Sequence, residues 1–181
     1  MKDVSAFGSD PVIVATGAVP RVLRRVPGNE KMVEACEFLL GKKDVGETVA
    51  VIGGGLTGCE IAYELALHGK KPIIVEMKDD LVAQKGVCLA NSSYLREWFA
   101  LNEVPVYLET ALKEVKDGAI VCAGKDGSDF ELACDSVISC AGYIPAPLTE
   151  KRSGVQLIGD CRAVGNLRSV VWEAYEAAMK I

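Results

Sequence analysis

Val49-Ala-Val-Ile-Gly-Gly-Gly-Leu-Thr-Gly58, followed by a helix-forming run and by Glu76, decides how this chain is read. Thr48–Ile52 is a short apolar, β-branched run, the mark of a buried strand. In Thr57–His68, Cys59, Ala62, Tyr63 and Ala66 share one helical face, which Ile61 and Leu65 extend. Gly69 stands where a helix commonly stops, and Pro72–Val75 is a second apolar strand. Between strand and helix, Gly53, Gly55 and Gly58 give the pattern Gly-x-Gly-x-x-Gly. Gly53 permits the tight turn, Gly55 lets backbone approach a pyrophosphate, and Gly58 lets helix and strand pack closely. The amides at the helix start face that phosphate with the positive end of the helix dipole. Glu76, 23 residues after Gly53, closes the unit with a carboxylate suited to ribose hydroxyls and repulsive to a 2′-phosphate. The unit therefore predicts NAD(H) rather than NADP(H), with Lys78 softening the discrimination. Gly54, Leu56, Thr57 and Met77 complete the expected contacts. The plainer alternative is a glycine-rich turn and a surface glutamate with no ligand.

Outward from this unit the pattern stays α/β. Upstream, Pro11–Ala15 reads as a buried strand that ends in Thr16-Gly17, and Lys31–Leu40 has helical spacing closed by Gly41. Downstream, Asn91–Leu101 predicts a helix with Tyr94, Leu95, Trp98 and Phe99 inward, and Pro105–Leu108 a strand. Leu112–Lys116, Ala119–Ala123 and Phe130–Ala133 are short alternating runs separated by Gly-containing turns, an antiparallel meander. Ser136–Cys140 and Val155–Ile158 return to buried strands, ending at Ala141-Gly142 and Gly159-Asp160, and Leu167–Lys180 is the closing helix. The expected fold is a Rossmann-like parallel sheet with an antiparallel β-meander crossover.

Bulk properties narrow the function. In 181 residues no run approaches the roughly 18 apolar residues of a membrane helix, and Met1–Asp10 lacks the features of a signal peptide, so the chain reads as cytoplasmic. A net charge of −5 argues against nucleic acid, and the one basic cluster, Arg21–Arg25, reads as a solvated loop. The seven cysteines contain no Cys-x-x-Cys pair and no metal-ligand spacing, which predicts reduced thiols and no metal site.

Three stretches around the glycine turn resemble motifs of one family. Val12-Ile-Val-Ala-Thr-Gly-Ala-Val-Pro20 is similar to the Ala-Thr-Gly strand end beside FAD in flavoproteins with two dinucleotide folds, which implies FAD-side roles for Ala15, Thr16 and Gly17. Ser139-Cys-Ala-Gly-Tyr-Ile-Pro145 resembles the second such strand end and implies NAD contacts from Ala141 and Gly142. Val155-Gln-Leu-Ile-Gly-Asp160 resembles the late FAD motif, whose aspartate binds the ribityl and pyrophosphate region, so Gly159 and Asp160 join the FAD side. Gly53–Glu60, Val75-Glu-Met77, Gly159-Asp-Cys161 and the ending Val171–Ile181 look like the C-terminal half of the multidomain NADH:flavin oxidoreductases. That Old Yellow Enzyme-like group includes 2,4-dienoyl-CoA reductase, 2-enoate reductase and trimethylamine dehydrogenase. The missing Cys pair separates the chain from thioredoxin reductases and related disulfide reductases.

The resemblance covers nearly everything from Pro11 onward. It implies an FAD-domain strand and linker at 1–46, an NAD(H)-binding domain at 47–145, and an FAD-domain return strand and helix at 146–181. It also implies FAD in the full-length enzyme, FMN and an iron–sulfur cluster in upstream domains, and NADH with the rest of the parent flavoenzyme as partners. Met1–Asp10 holds nothing resembling the first FAD motif, so the chain reads as a fragment, inactive alone. In the parent, hydride would pass from NADH to FAD on the way to an activated alkene. Cofactors supply such chemistry while the protein binds and orients, and no residue here is assigned as catalytic.

Other readings stay open. The chain is alternatively a nucleotide-binding module for ADP or NAD without turnover, or a structural remnant serving assembly. Asp160 is alternatively a cap for the turn before the last helix, and Thr16 and Gly17 share that ambiguity. His68 is expected at a helix C-terminus, Cys59 between helix and sheet, and Cys161 as an exposed thiol. The closing helix carries Val171, Ala174 and Ala178 on one side and Trp172, Tyr175 and Met179 on another. One of these sides is expected to be left uncovered, which predicts self-association as a homodimer.

Overall fold

The structure is a computed structural model that describes residues 11–83, 86–150 and 153–181. The expected absence of a signal peptide in Met1–Asp10 lies outside the described residues. The chain begins with β1 (Val12–Val14) and β2 (Ala18–Pro20), then a 3₁₀ turn at Asn29–Lys31, β3 (Val33–Glu34) and α1 (Ala35–Leu39). β4 (Thr48–Ile52), α2 (Leu56–Leu67), β5 (Lys71–Val75), α3 (Leu89–Leu101) and β6 (Val106–Tyr107) follow. The meander is β7 (Ala111–Lys116), β8 (Ala119–Ala123) and β9 (Asp129–Ala133). The chain closes with β10 (Ser136–Ser139), β11 (Tyr143–Pro145), β12 (Val155–Leu157), a 3₁₀ turn at Gly159–Cys161 and α4 (Leu167–Ala178). None of the described helices is long and apolar enough to cross a membrane.

Contacts divide the chain into two compact units, Val22–Gly142 and, among described residues, 11–21 with Tyr143–Ile181. In the first unit five parallel strands lie in the order β3-β10-β4-β5-β6. β4 is buried on both faces, as a central parallel strand covered from two sides must be. Alternation sorts its side chains. Val49 and Val51, with Ile74 and Ile138, meet Cys59, Ile61, Leu65 and Phe99 of α2 and α3. Ala50 and Ile52, with Val75 and Val137, meet Val115, Ile120 and Cys122 of the meander. The antiparallel meander β7-β8-β9 thus forms the third layer.

The expected helix at Lys31–Leu40 is mostly something else. Val33 and Glu34 pair with Ile138 and Ser139 at the sheet edge, and only Ala35–Leu39 is α-helical. Met32, Val33 and Phe38 still pack against core residues, so the apolar spacing is real while the backbone hydrogen bonds go to the sheet. The same pairing, with the bond from the Val115 amide to the Pro27 carbonyl, ties residues 22–46 to the sheet unit. The division therefore falls at 21/22 and 142/143, where the sequence reading puts 46/47 and 145/146.

In the second unit β1 runs parallel to β12, and β2 pairs antiparallel with β11. The β2–β11 pair was not expected, because each strand is only three residues long and carries no alternation. α4 starts at a capping box in which Asn166 Oδ1 accepts from the Ser169 amide and Ser169 Oγ accepts from the Asn166 amide. Its buried face is neither of the two expected sides. Ala177 is buried and Val170 and Glu173 are half-buried, while Val171, Trp172, Tyr175 and Met179 are all exposed. Glu173 accounts for the difference. Its carboxylate accepts the Gly159 amide at 2.7 Å and pairs with Arg162, so the helix is oriented by a charged group that apolar patterning does not count.

Candidate dinucleotide-binding site

β4 ends at Ile52 and α2 starts at Leu56, so the three glycines occupy the strand-to-helix turn. β4 is flanked by β5, the next strand in the chain, and by β10, reached only after the meander. The turn therefore sits where the strand order reverses, at the carboxyl edge where open α/β sheets bind ligands. Gly53 has φ +108°, and a Cβ there would lie 2.5 Å from the Cys140 carbonyl oxygen. A Cβ on Gly58 would lie 1.9 Å from the Gly53 carbonyl oxygen, so α2 meets the turn at a distance only glycine allows. Gly55 is the N-cap of α2, and no side chain caps it. The first amides of a helix have no acceptor within it, and here they belong to Leu56, Thr57 and Gly58.

The Glu76 carboxylate is built into this turn. Its Oε2 accepts the Gly54 amide at 2.5 Å and its Oε1 the Lys78 amide at 2.8 Å. Each carboxylate oxygen has two lone-pair sites, so one on each oxygen remains for further donors such as ribose hydroxyls. The carbonyl of Gly54 is occupied too, accepting the Val82 amide at 2.7 Å and the Cys59 thiol at 3.4 Å. Gly54 is thus a buried structural link, with both backbone groups used inside the protein. Met77 is exposed beyond Glu76. Ala141 and Gly142 follow β10, and the Cys140 amide donates to the Ile52 carbonyl beside the turn.

The cysteines around the turn add no charge. Burial pushes the Cys59 and Cys140 thiols up to about 12, so both stay neutral where an anionic phosphate would lie. Burial, with Glu37 nearby, also raises the Glu34 carboxyl at the end of β3. The Ser139 hydroxyl on β10 is buried without a hydrogen-bond partner among the described residues.

In the second unit, parallel pairing of β1 with β12 brings the segment after each strand to the same edge, Ala15–Gly17 beside Gly159-Asp160. Thr16 Oγ1 donates to the Ala146 carbonyl, and Asp160 Oδ1 accepts the Gly165 amide, so Asp160 does hold the turn before α4 while Asn166 caps the helix itself. The late 3₁₀ turn buries Cys161, whose thiol donates to the Val14 and Ile158 carbonyls. This corrects the expectation of an exposed thiol, which belongs to Cys88 instead. Cys59 is buried between helix and sheet. His68 sits at the C-cap of α2 with Nδ1 2.9 Å from the Glu64 carbonyl. The bond from the Val82 amide to the Gly54 carbonyl carried no sequence signal, since Val82 lies outside the motif.

Comparisons with known proteins agree with this geometry. The chain is 34% identical to a cinnamate reductase of Clostridium sporogenes over 99% of its own length, and 30% identical to an NADH oxidase of Thermoanaerobacter brockii over 98%. It spans only 28% and 29% of those two proteins. A solved 2-naphthoyl-CoA reductase superimposes with a TM-score of 0.78 at 22% identity, covering 93% of this chain and 26% of that one, a likeness that speaks for the fold alone. The family of pyridine nucleotide-disulphide oxidoreductases matches residues 2–169. A chain with an FAD/NAD-type Rossmann fold, matched by that family over nearly its whole length, belongs to the pyridine nucleotide-disulphide oxidoreductase family.

Proposed function

We propose that Val22–Gly142 binds NAD(H) and orients it for hydride transfer to FAD in a longer parent enzyme. The observation that carries this is the glycine turn at the strand-order reversal, with Glu76 locked beside it. Gly53, Gly54, Gly55, Leu56, Thr57 and Gly58 surround the pyrophosphate position, with Gly54 acting through its hold on Glu76. Glu76 accepts the adenosine ribose hydroxyls and repels a 2′-phosphate, and Met77 offers apolar surface at that end. Ala141 and Gly142 lie on the side of β10 toward which the nicotinamide half extends.

Ala15, Thr16, Gly17, Gly159 and Asp160 are proposed for the FAD side. Their clustering at the paired ends of β1 and β12 supports that reading. Flavin and nicotinamide supply the redox chemistry when bound, while this chain binds and orients. The relative named cinnamate reductase supports a parent of the enoate or dienoyl-CoA reductase type, and FMN and an iron–sulfur cluster are proposed for other domains of that parent. Seven free thiols suit a reducing cytoplasm. The exposed face of α4 is proposed to pair two copies when the rest of the parent is not present.

Calorimetric titration of the 181-residue chain with NADH, NADPH and ADP tests the reading. NADH should bind more tightly than either of the others. If ADP binds as tightly as NADH, the site is a nucleotide-binding module with no productive nicotinamide end. If none binds at high ligand concentration, the proposal fails.

A further inference from the structure

We infer that Arg96 is a positioning residue for the glycine turn: from α3, outside the motif, it holds the strained segment Asp80–Val82 against Gly54. The inference rests on reading that turn as a nucleotide site. Val82 has φ +50°, a left-handed conformation that β-branched residues strongly disfavour. Its amide nonetheless reaches the Gly54 carbonyl at 2.7 Å, and Leu81 lies so close that a Cβ on Gly54 would fall 2.6 Å from its Cδ2. Both Leu81 and Val82 are buried in the core under α2 and α3.

The group that holds the segment there is the Arg96 guanidinium. Its Nε and Nη2 donate to the Leu81 carbonyl at 3.0 and 2.5 Å, and Nη2 also meets Asp80 Oδ2 at 2.7 Å. A planar fork with fixed donor directions sets the orientation of one peptide group in a way that a point charge does not. The two peptide groups that flank the Gly54 Cα are consequently both held, one by Glu76 at the Gly54 N–H and the other by Val82 at the Gly54 carbonyl. With Gly54 fixed, the direction of Gly55 and of the first amides of α2 is fixed before any phosphate arrives. Such preorganisation raises affinity without adding a ligand contact.

The test combines hydrogen exchange at the Val82 amide with titration of NADH and NADPH into the wild-type chain and four variants. Arg96→Ala should speed that exchange and weaken both nucleotides by the same factor, about tenfold, the worth of one charge-assisted hydrogen bond. The NADH/NADPH preference should not move. Val82→Gly in the Arg96→Ala background should restore most of the affinity, because glycine takes φ +50° without strain. A merely structural arginine gives no such rescue. Arg96→Lys should be intermediate, and it carries the test should Arg96→Ala not fold. Asp80→Asn should stay near wild type, since the fork on Leu81 remains. Unchanged exchange and affinity in Arg96→Ala, a shifted nucleotide preference, or failure of the glycine rescue each overturns the inference. If the wild-type chain binds neither nucleotide, the functional reading falls, and the exchange measurement alone decides the role of Arg96.

Discussion

Gly58→Ala is the sharpest perturbation of this site, because two effects of opposite sign compete at one atom. In an open helix, alanine for glycine gains about 1 kcal/mol of helix propensity. Here the new methyl would sit 1.9 Å from the Gly53 carbonyl oxygen and 3.3 Å from the Cys140 Cβ. The first of these is backbone, so no rotamer change relieves it, and α2 must lift from the sheet by more than an ångström. Overpacking of this kind costs about 1–3 kcal/mol, and more where the neighbour is rigid. The net expectation is a loss of about 2 kcal/mol, or a Tm lower by roughly 4–8 °C for a chain of this size. NADH affinity should fall at least tenfold, since the displaced helix start no longer faces the phosphate. Gly69→Ala is the control, because it has φ +77° with nothing within 4 Å of the new methyl. It should lose only the strain of the left-handed conformation, about 1 kcal/mol, and keep its affinity. Thermal melts and calorimetry on the two variants decide the matter. Gly58→Ala that melts and binds like wild type would refute the close helix–turn packing on which the site depends.

Glu76→Gln removes the charge and leaves one acceptor oxygen where the Gly54 and Lys78 amides both donate, so the NADH/NADPH ratio should collapse toward one with some loss of NADH affinity, whereas Glu76→Ala should weaken both nucleotides further by releasing Gly54 entirely; titration of both variants separates the two. Alkylation at pH 8 followed by mass spectrometry should label exposed Cys88 rapidly and leave Cys59 and Cys140 unmodified, because burial holds those thiols protonated up to about 12. The Arg162 guanidinium first, and then the Gly159 amide, hold the Glu173 carboxyl below its ordinary value, so its contribution is complete above about pH 4.5 and is lost as pH falls through the lowered folded value. Glu173→Gln should therefore flatten the acid limb of a melting-temperature profile and leave the neutral region's shape unchanged.

Local sequence determines the parts of this fold that are buried on both faces or punctuated by glycine. Val49–Ile52 is readable because a central parallel strand must be apolar throughout, and Gly53 and Gly58 because a backbone oxygen stands where a side chain would be. Val33–Glu34 was hidden for the opposite reason. Its apolar neighbours satisfy helical spacing, but its hydrogen bonds are made to Ile138 and Ser139, more than a hundred residues away. The buried face of α4 was hidden because Glu173 anchors it through the Gly159 amide and Arg162, and a partner eleven residues away leaves no periodic trace. In the site itself, Glu76 was legible as a carboxylate at the right distance from Gly53, while its bond to Gly54 was not, since that bond forms only once β4 and β5 pair and bring their ends together.

The double use of Glu76 changes how selectivity at this site should be understood. A carboxylate free in solvent can turn away from an approaching phosphate, which weakens its repulsion. Glu76 cannot, because amides from Gly54 and Lys78 hold both of its oxygens. Its charge is therefore fixed in place next to the glycine turn, and in the proposed NAD(H) site it would accept the ribose hydroxyls without first ordering a side chain. The same bonds make the residue a structural part of the turn. Substitution at position 76 consequently changes two properties together, the preference between nucleotides and the shape of the phosphate site. Loss of Arg96 changes the second alone, so comparing the two residues separates discrimination from preorganisation.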